Sequence, residues 1–265
     1  THDEREVRRL AHRVLRLDNG TLQGDLILKG YGDPKITIEQ WQSFMAGLRT
    51  QGLETITGDL VLDRSQFRLP PHDAGAFDGD ALKPYNVGPD ALLVNFKSLR
   101  FVFWPHDASV RMFVEPQLPG LELVNGLRLS DGLCPEGRAF RDRIQASFQS
   151  RPPRAAFTGF YPVSCGEREL NVALHQPEDY VDGMVRALWT EMGGQGKGRI
   201  REGEVGPNAR LVYKHESQPL SEVVRDINKF SNNVMARQLY LTLAAELSGP
   251  PAQPQAAARA IEQWL

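Results

Sequence analysis

The chain has 265 residues, 41% apolar and 24% charged, with a formal net charge of −2. That is an ordinary globular composition with room for two domains or one large one, and it carries no signature of nucleic-acid binding. No apolar run reaches the ~18 residues of a membrane span, and neither a Cys-x-x-Cys nor a ligand-spaced histidine pair marks a metal site.

Residues 1–13 are rich in charge and weakly helical in pattern, without the apolar core of a signal peptide. The chain is therefore either cytosolic or without its export signal. Val14–Leu17 reads as a short strand ending at the turn Asp18-Asn19-Gly20. Gly24-Asp25-Leu26-Ile27-Leu28-Lys29-Gly30 is a second strand, closed by the turn Gly32-Asp33-Pro34. From Ile38 to Thr50, Trp41, Phe44, Met45 and Leu48 share one helical face. Gly58-Asp59-Leu60-Val61-Leu62-Asp63 then repeats the Gly-Asp-Leu-x-Leu pattern, which makes a β-α-β unit.

Residues 70–90 are loop, rich in Pro, Gly and Asp. Ala91–Asn95 and Leu99–Trp104 read as strands. Val110–Val114, Leu121–Leu129, Arg143–Phe148 and Ala155–Tyr161 read as further strands in a β-rich segment that holds both cysteines, Cys134 and Cys165. In a cytosolic protein such a pair is usually two free thiols; in an exported one it is a disulfide candidate. Gln176–Met192 is amphipathic, and 193–206 is a glycine-rich connection.

Helical periodicity returns in the stretch 217–246. Val223, Val224, Ile227, Phe230, Val234 and Leu241 follow it, and Ser231-Asn232-Asn233 interrupts it. Short polar side chains compete with the helical backbone for hydrogen bonds, so the triplet predicts helix, tight turn, helix. On its own it reads as a helix–helix connection with Asn233 or Ser231 as the N-cap. Ser248–Pro254 ends the second helix, and a last one begins at Ala256.

The flanks of the triplet carry more. Ser217-x-Pro219-Leu220-Ser221, Ile227-Asn228-Lys229-x-Ser231-x-Asn233 and Ala236-x-x-Leu239 resemble the Ser-x-Asn region of the low-molecular-mass class C penicillin-binding proteins. These are the D-alanyl-D-alanine carboxypeptidases/endopeptidases (peptidase S13 type) of peptidoglycan. The paired Gly-Asp-Leu strands around one helix resemble an insert domain of the same family, so the resemblance covers roughly residues 14–250. It implies that Ser231 lies beside the nucleophile and relays protons, and that Asn233 hydrogen-bonds the substrate amide; a hydroxyl and a carboxamide suit those roles because both donate and accept. It also makes Asp80 a candidate for the ammonium of a diamino acid in the stem peptide. Asp80 reads equally as a solvated turn former, and Asp78 is its rival.

The same resemblance implies a mixed α/β, multidomain fold: part of a β-lactamase/transpeptidase-like domain with two β-rich inserts. The expected boundaries are 1–109 for insert domain II, 110–175 for the small β-rich insert domain III, 176–205 for the return connection, and 206–265 for part of the catalytic domain. It further implies a periplasmic location and hence a Cys134–Cys165 disulfide, no cofactor, and stem peptides and β-lactam antibiotics as partners. Membrane association is peripheral at most. The family's other motifs are missing. No serine is followed three positions on by lysine, and the nearest triplet to Lys-Thr-Gly, Phe157-Thr158-Gly159, lacks the cation. The expectation is the middle of such an enzyme, trimmed at both ends. Its alternatives are a non-catalytic cell-wall binding module of the same fold, or an unrelated cytosolic α+β protein with a chance Ser-x-Asn.

Overall fold

The computed structural model describes residues 19–264. The strand expected at 14–17 and the charged start lie outside the described residues. The described chain is mixed α/β and forms two compact units. The first holds the residues up to Pro71, Pro89–Val94 and those from Leu188 on; the second holds His72–Gly88 and Asn95–Ala187.

The first unit opens with β1 (Thr21–Leu22), β2 (Leu26–Lys29) and helix α1 (Ile38–Thr50). α1 forms because Trp41, Met45 and Leu48 recur at helical spacing and are buried. It starts at Thr37 because that side chain accepts from Gln40 N–H while the Gln40 side chain accepts from Thr37 N–H, a reciprocal capping box. β3 (Thr55–Ile56) and β4 (Leu60–Asp63) follow, and β2 pairs with β4 in parallel with Leu26 opposite Leu60, completing the β-α-β unit. Ala91–Val94 is not a strand. It is a continuously buried segment with a single bridge, Val94 to Ile36. Its polar groups are served outside any ladder: Leu92 N–H donates to Asp90 Oδ1 at 2.8 Å and Gly32 N–H to Ala91 O at 2.8 Å.

In the second unit, β5 (Leu99–His106) and β6 (Ser109–Glu115) form an antiparallel hairpin. Both strands of that hairpin, on either side of residues 107–108, lie in the second unit. Residues 121–129 split at Gly126-Leu127 into β7 (Glu122–Asn125) and β8 (Arg128–Ser130), which join different sheets. Helix α2 (Gly137–Arg143) occupies the approach to the strand expected at 143–148, which begins only at Ser147 as β9 (Ser147–Ser150). α2 has one buried anchor, Phe140, so its sequence shows no helical period. β10 (Pro153–Phe157) pairs with β7 and β9, β11 (Phe160–Pro162) with β8, and β12 (Arg168–Val172) with β5.

The core between these sheets is aromatic. Phe101, Phe103, Phe157 and Tyr161 are wholly buried, and the Phe103 and Phe157 rings meet edge-on at 4.9 Å. Tyr161 O–H donates to Gly166 O at 2.8 Å, and burial pushes its phenol up to about 12. Cys134 and Cys165 form a disulfide with Cα atoms 4.8 Å apart, just beyond the paired ends of β8 and β11.

Helix α3 (Pro177–Glu191) follows His175. His175 is 3% exposed and neither ring nitrogen has a partner, so burial pushes its pKa below 6.5, with Asp179 opposing and Lys97 assisting. Below pH 6.5 the unfolded chain binds a proton at this site that the folded chain refuses. Stability therefore rises with pH there and falls as pH is lowered through 6.5, by at most about 1.4 kcal/mol per pH unit. Calorimetry between pH 7.5 and 5 is expected to show the second unit losing stability, and His175→Phe is expected to flatten that slope. An identical slope in the variant refutes this.

The chain then returns to the first unit. The connection at 193–206 is more than a linker: β13 (Gln195–Gly196) and β14 (Ile200–Glu202) supply the third strands of two parallel sheets, β1–β3–β13 and β2–β4–β14. Gly198 is required there, since a Cβ would stand 1.9 Å from Gly58 O. The Gly-Asp-Leu repeat acquires a physical meaning from this pairing. Asp25 Oδ1 accepts Asp59 N–H at 2.7 Å and Asp59 Oδ1 accepts Arg199 N–H at 2.9 Å, so each carboxylate ties down the start of the next strand. Helices α4 (Leu220–Phe230), α5 (Asn233–Ser248) and α6 (Pro254–Trp264) complete the unit. Leu241, Ala244 and Ala245 of α5 pack with Ala257, Ala252, Ala91 and Phe67.

Candidate active site

The Ser231–Asn233 break stands in the first unit, while Asp80 and the disulfide stand in the second. At the break, Ser231 closes α4 in the left-handed conformation, φ 47° and ψ 43°. That conformation is unfavourable for a residue with a Cβ, by roughly 1–2 kcal/mol. It ends the helix in one residue and leaves Asn232 extended. The N-cap is neither Ser231 nor Asn233: Asn232 fills it, its side chain accepting Met235 N–H at 3.0 Å. All three residues have capping chemistry, and the backbone turn decides which one caps. With Asn232 so engaged, the exposed Ser231 hydroxyl and Asn233 carboxamide are left out of helix capping.

One loop holds both helices that flank the break. Lys35 Nζ pairs with Asp226 of α4 at 2.7 Å, and Ser217 O–H donates to Asp33 Oδ2 at 2.6 Å just before α4 begins. The Lys35 ammonium holds the Asp226 carboxyl below the usual carboxylate range. On α5, the fully buried Gln238 accepts Asp90 N–H at 2.9 Å and donates to Asp90 O at 2.7 Å and to Asp33 O at 3.3 Å. Thr242 O–H lies 3.3 Å from Gly32 O. Lys35, Asp226 and Gln238 escape sequence reasoning because nothing local links them; Lys35 and Asp226 are 191 positions apart.

In the second unit the loop 72–88 separates the two acidic rivals. Asp78 is committed inside the loop. It accepts Tyr85 O–H at 2.6 Å, Asn86 Nδ2 at 2.7 Å and Asp80 N–H at 3.0 Å. These bonds, led by that of Tyr85, hold its carboxyl below the usual range. The Asp80 carboxylate instead points to a charge, pairing with Arg141 of α2 at partial exposure. Asp80 is therefore the acid whose side chain already serves a cation, and Arg141 is a partner that the sequence did not suggest.

Comparison with known proteins adds an independent line. The model of the D-Ala-D-Ala carboxypeptidase 3 (S13) family matches residues 10–265. A curated relative, the D-alanyl-D-alanine carboxypeptidase DacB of Haemophilus influenzae, is 24% identical over 260 residues, covering 94% of this chain and 52% of its own length. The crystal structure of penicillin binding protein 4 (dacB) from Haemophilus influenzae superposes with a TM-score of 0.72 at 23% identity, over 94% of this chain and 54% of that one. The same protein complexed with a novel beta-lactam gives 0.65 at 22% identity, over 94% and 52%. The chain thus spans about half the length of the relatives it matches.

Proposed function

Because the chain belongs to the D-Ala-D-Ala carboxypeptidase 3 (S13) family, we propose that it supplies the Ser-x-Asn element and the insert domains of a serine-type D-alanyl-D-alanine carboxypeptidase/endopeptidase. The substrate is the stem peptide of peptidoglycan, and β-lactams acylate the intact enzyme. The observation that carries this reading is the left-handed turn at Ser231, which hands capping to Asn232 and leaves both Ser231 and Asn233 exposed in the motif order.

In the proposed reaction a serine of a Ser-x-x-Lys motif, absent from these 265 residues, attacks the carbonyl between the two D-alanines with the lysine as base. The terminal D-alanine leaves, and water cleaves the acyl-enzyme. Ser231 passes the proton toward the leaving amine, and Asn233 holds the substrate amide. Residues 206–265 act as part of the catalytic domain, 1–109 and 110–175 as the inserts, and 176–205 as the return connection. The disulfide suits an oxidising compartment, which supports a periplasmic location. No described helix is long and apolar enough to cross a membrane. The alternative is a binding module of the same fold that keeps the inserts without the chemistry. The test is release of D-alanine from a stem pentapeptide by the full-length protein that carries this chain; release supports the enzyme, and binding without release supports the module.

In this reading the stem's free ammonium shares the Asp80 carboxylate with Arg141, and partial burial strengthens a carboxylate–ammonium pair. Asp80→Asn in the full-length protein is expected to lower kcat/KM roughly tenfold for diaminopimelate-type stems and far less for simple D-Ala-D-Ala peptides. Equal losses on both return Asp80 to the role of a loop acid.

A further inference from the structure

Helix α4 is weakly held. Val223 and Asp226 are its buried residues, while Leu220, Val224 and Phe230 are 61%, 38% and 64% exposed. Its hold on the unit therefore combines the buried Val223 and half-buried Ile227 with the Ser217–Asp33 bond just before it and the charge pair from Asp226 to Lys35. Arg225 also approaches Asp226, at 3.3 Å, but it sits on the same helix and ties it to nothing. Helix α5 is anchored differently, through Gln238 and an apolar cluster that involve no charge. Ser231 lies between a helix fixed by an ion pair and a helix fixed by packing, in a backbone conformation that needs support from both sides.

We propose that Lys35 is a positioning residue for Ser231: by pairing with Asp226 it sets the angle at which α4 enters the left-handed turn, and so the direction of the Ser231 hydroxyl. This rests on the reading of Ser231 as part of an acylation site. Lys35 touches no substrate and works through α4 alone. Its backbone N–H donates to Asp33 Oδ1 at 2.8 Å, a bond that a side-chain substitution leaves in place.

The distinguishing feature is selectivity. Loss of the Lys35 charge should loosen α4 and the turn while α5 stays protected, because α5 is held by backbone carbonyls of the same loop, by Asp90 and by an apolar cluster, none of which uses the Lys35 side chain. A merely structural role would instead loosen both helices and lower the melting temperature. The experiment compares wild type, Lys35→Met and Lys35→Arg in the full-length protein that carries this chain, by amide hydrogen exchange and by the rate of acylation with a fluorescent penicillin. In Lys35→Met, exchange across α4 and Ser231 is expected to rise roughly fivefold with α5 unchanged and acylation to slow by a similar factor, as for loss of a partly buried ion pair; Lys35→Arg is expected to restore both. If wild type takes label and Lys35→Met takes it equally fast, the proposal is overturned and the parent reading survives. If α4 and α5 loosen together, Lys35 is structural and the proposal is again overturned. A wild type that takes no penicillin overturns the parent reading and this proposal with it.

Discussion

Replacing both members of the Cys134–Cys165 pair with alanine is expected to destabilise the β-rich unit by roughly 3–4 kcal/mol, the chain-entropy value for a loop of this length. The bridge spans a sequence separation of 31 and encloses α2, β9 and β10. Without it the unfolded chain recovers the freedom of that whole loop. The native unit should still fold. Tyr161, Phe103, Phe140 and Phe157 remain packed, and Ser164 O–H still donates to Gly132 O at 2.7 Å across the gap. The melting temperature should fall by at least about 10 °C for a unit of this size. The urea m-value should rise, because the uncrosslinked unfolded state exposes more surface. Treating the wild type with reductant before unfolding should reproduce both changes. An unchanged midpoint would show that native packing, and not the unfolded-state constraint, carries the stability of this loop.

The parts of the fold legible in the sequence are those whose cause is local. α1 was readable because its apolar face repeats every three to four residues behind a threonine cap. β2 and β4 were readable because Gly-Asp-Leu occurs twice around that helix. What was not legible depends on distant partners. Ala91–Val94 has the composition of a strand but is buried with a single bridge, Val94 to Ile36, and joins no ladder. Gln195–Gly196 and Ile200–Glu202 have no alternation to read, and they become strands because β3 and β4 offer free edges. The candidate site divides in the same way. Ser231 and Asn233 announced themselves by type and spacing, whereas the residue that caps α5 was settled by one backbone dihedral that no propensity encodes. Likewise only coordinates show that the loop's own donors take up the Asp78 carboxylate while that of Asp80 pairs with Arg141.

This chain by itself is expected to take no β-lactam, while the full-length protein that carries it is expected to be labelled at a serine outside these 265 residues. Covalent capture needs a serine activated by a nearby base, and no serine here has a lysine one helical turn on. Ser231 is an unsuitable substitute. Its nearest lysine in sequence, Lys229, lies two positions back in the last turn of α4, whereas Ser231 has left the helix in the left-handed conformation. The Lys229 ammonium rests over the Phe230 ring at 5.2 Å from the centroid. In the full-length protein Ser231→Ala should slow acylation about a hundredfold, the usual scale for one proton-transfer partner, without moving the adduct. Asn233→Ala should slow it by a similar factor, as loss of a preorganised hydrogen-bonding group does. Intact-mass analysis after incubation with a fluorescent penicillin, followed by peptide mapping, checks each of these outcomes. A stoichiometric adduct on Ser231 of the 265-residue chain would reverse the assignment: Ser231 would be the nucleophile, its base would come from elsewhere in the fold, and the Ser-x-x-Lys serine would no longer be needed to explain the chemistry.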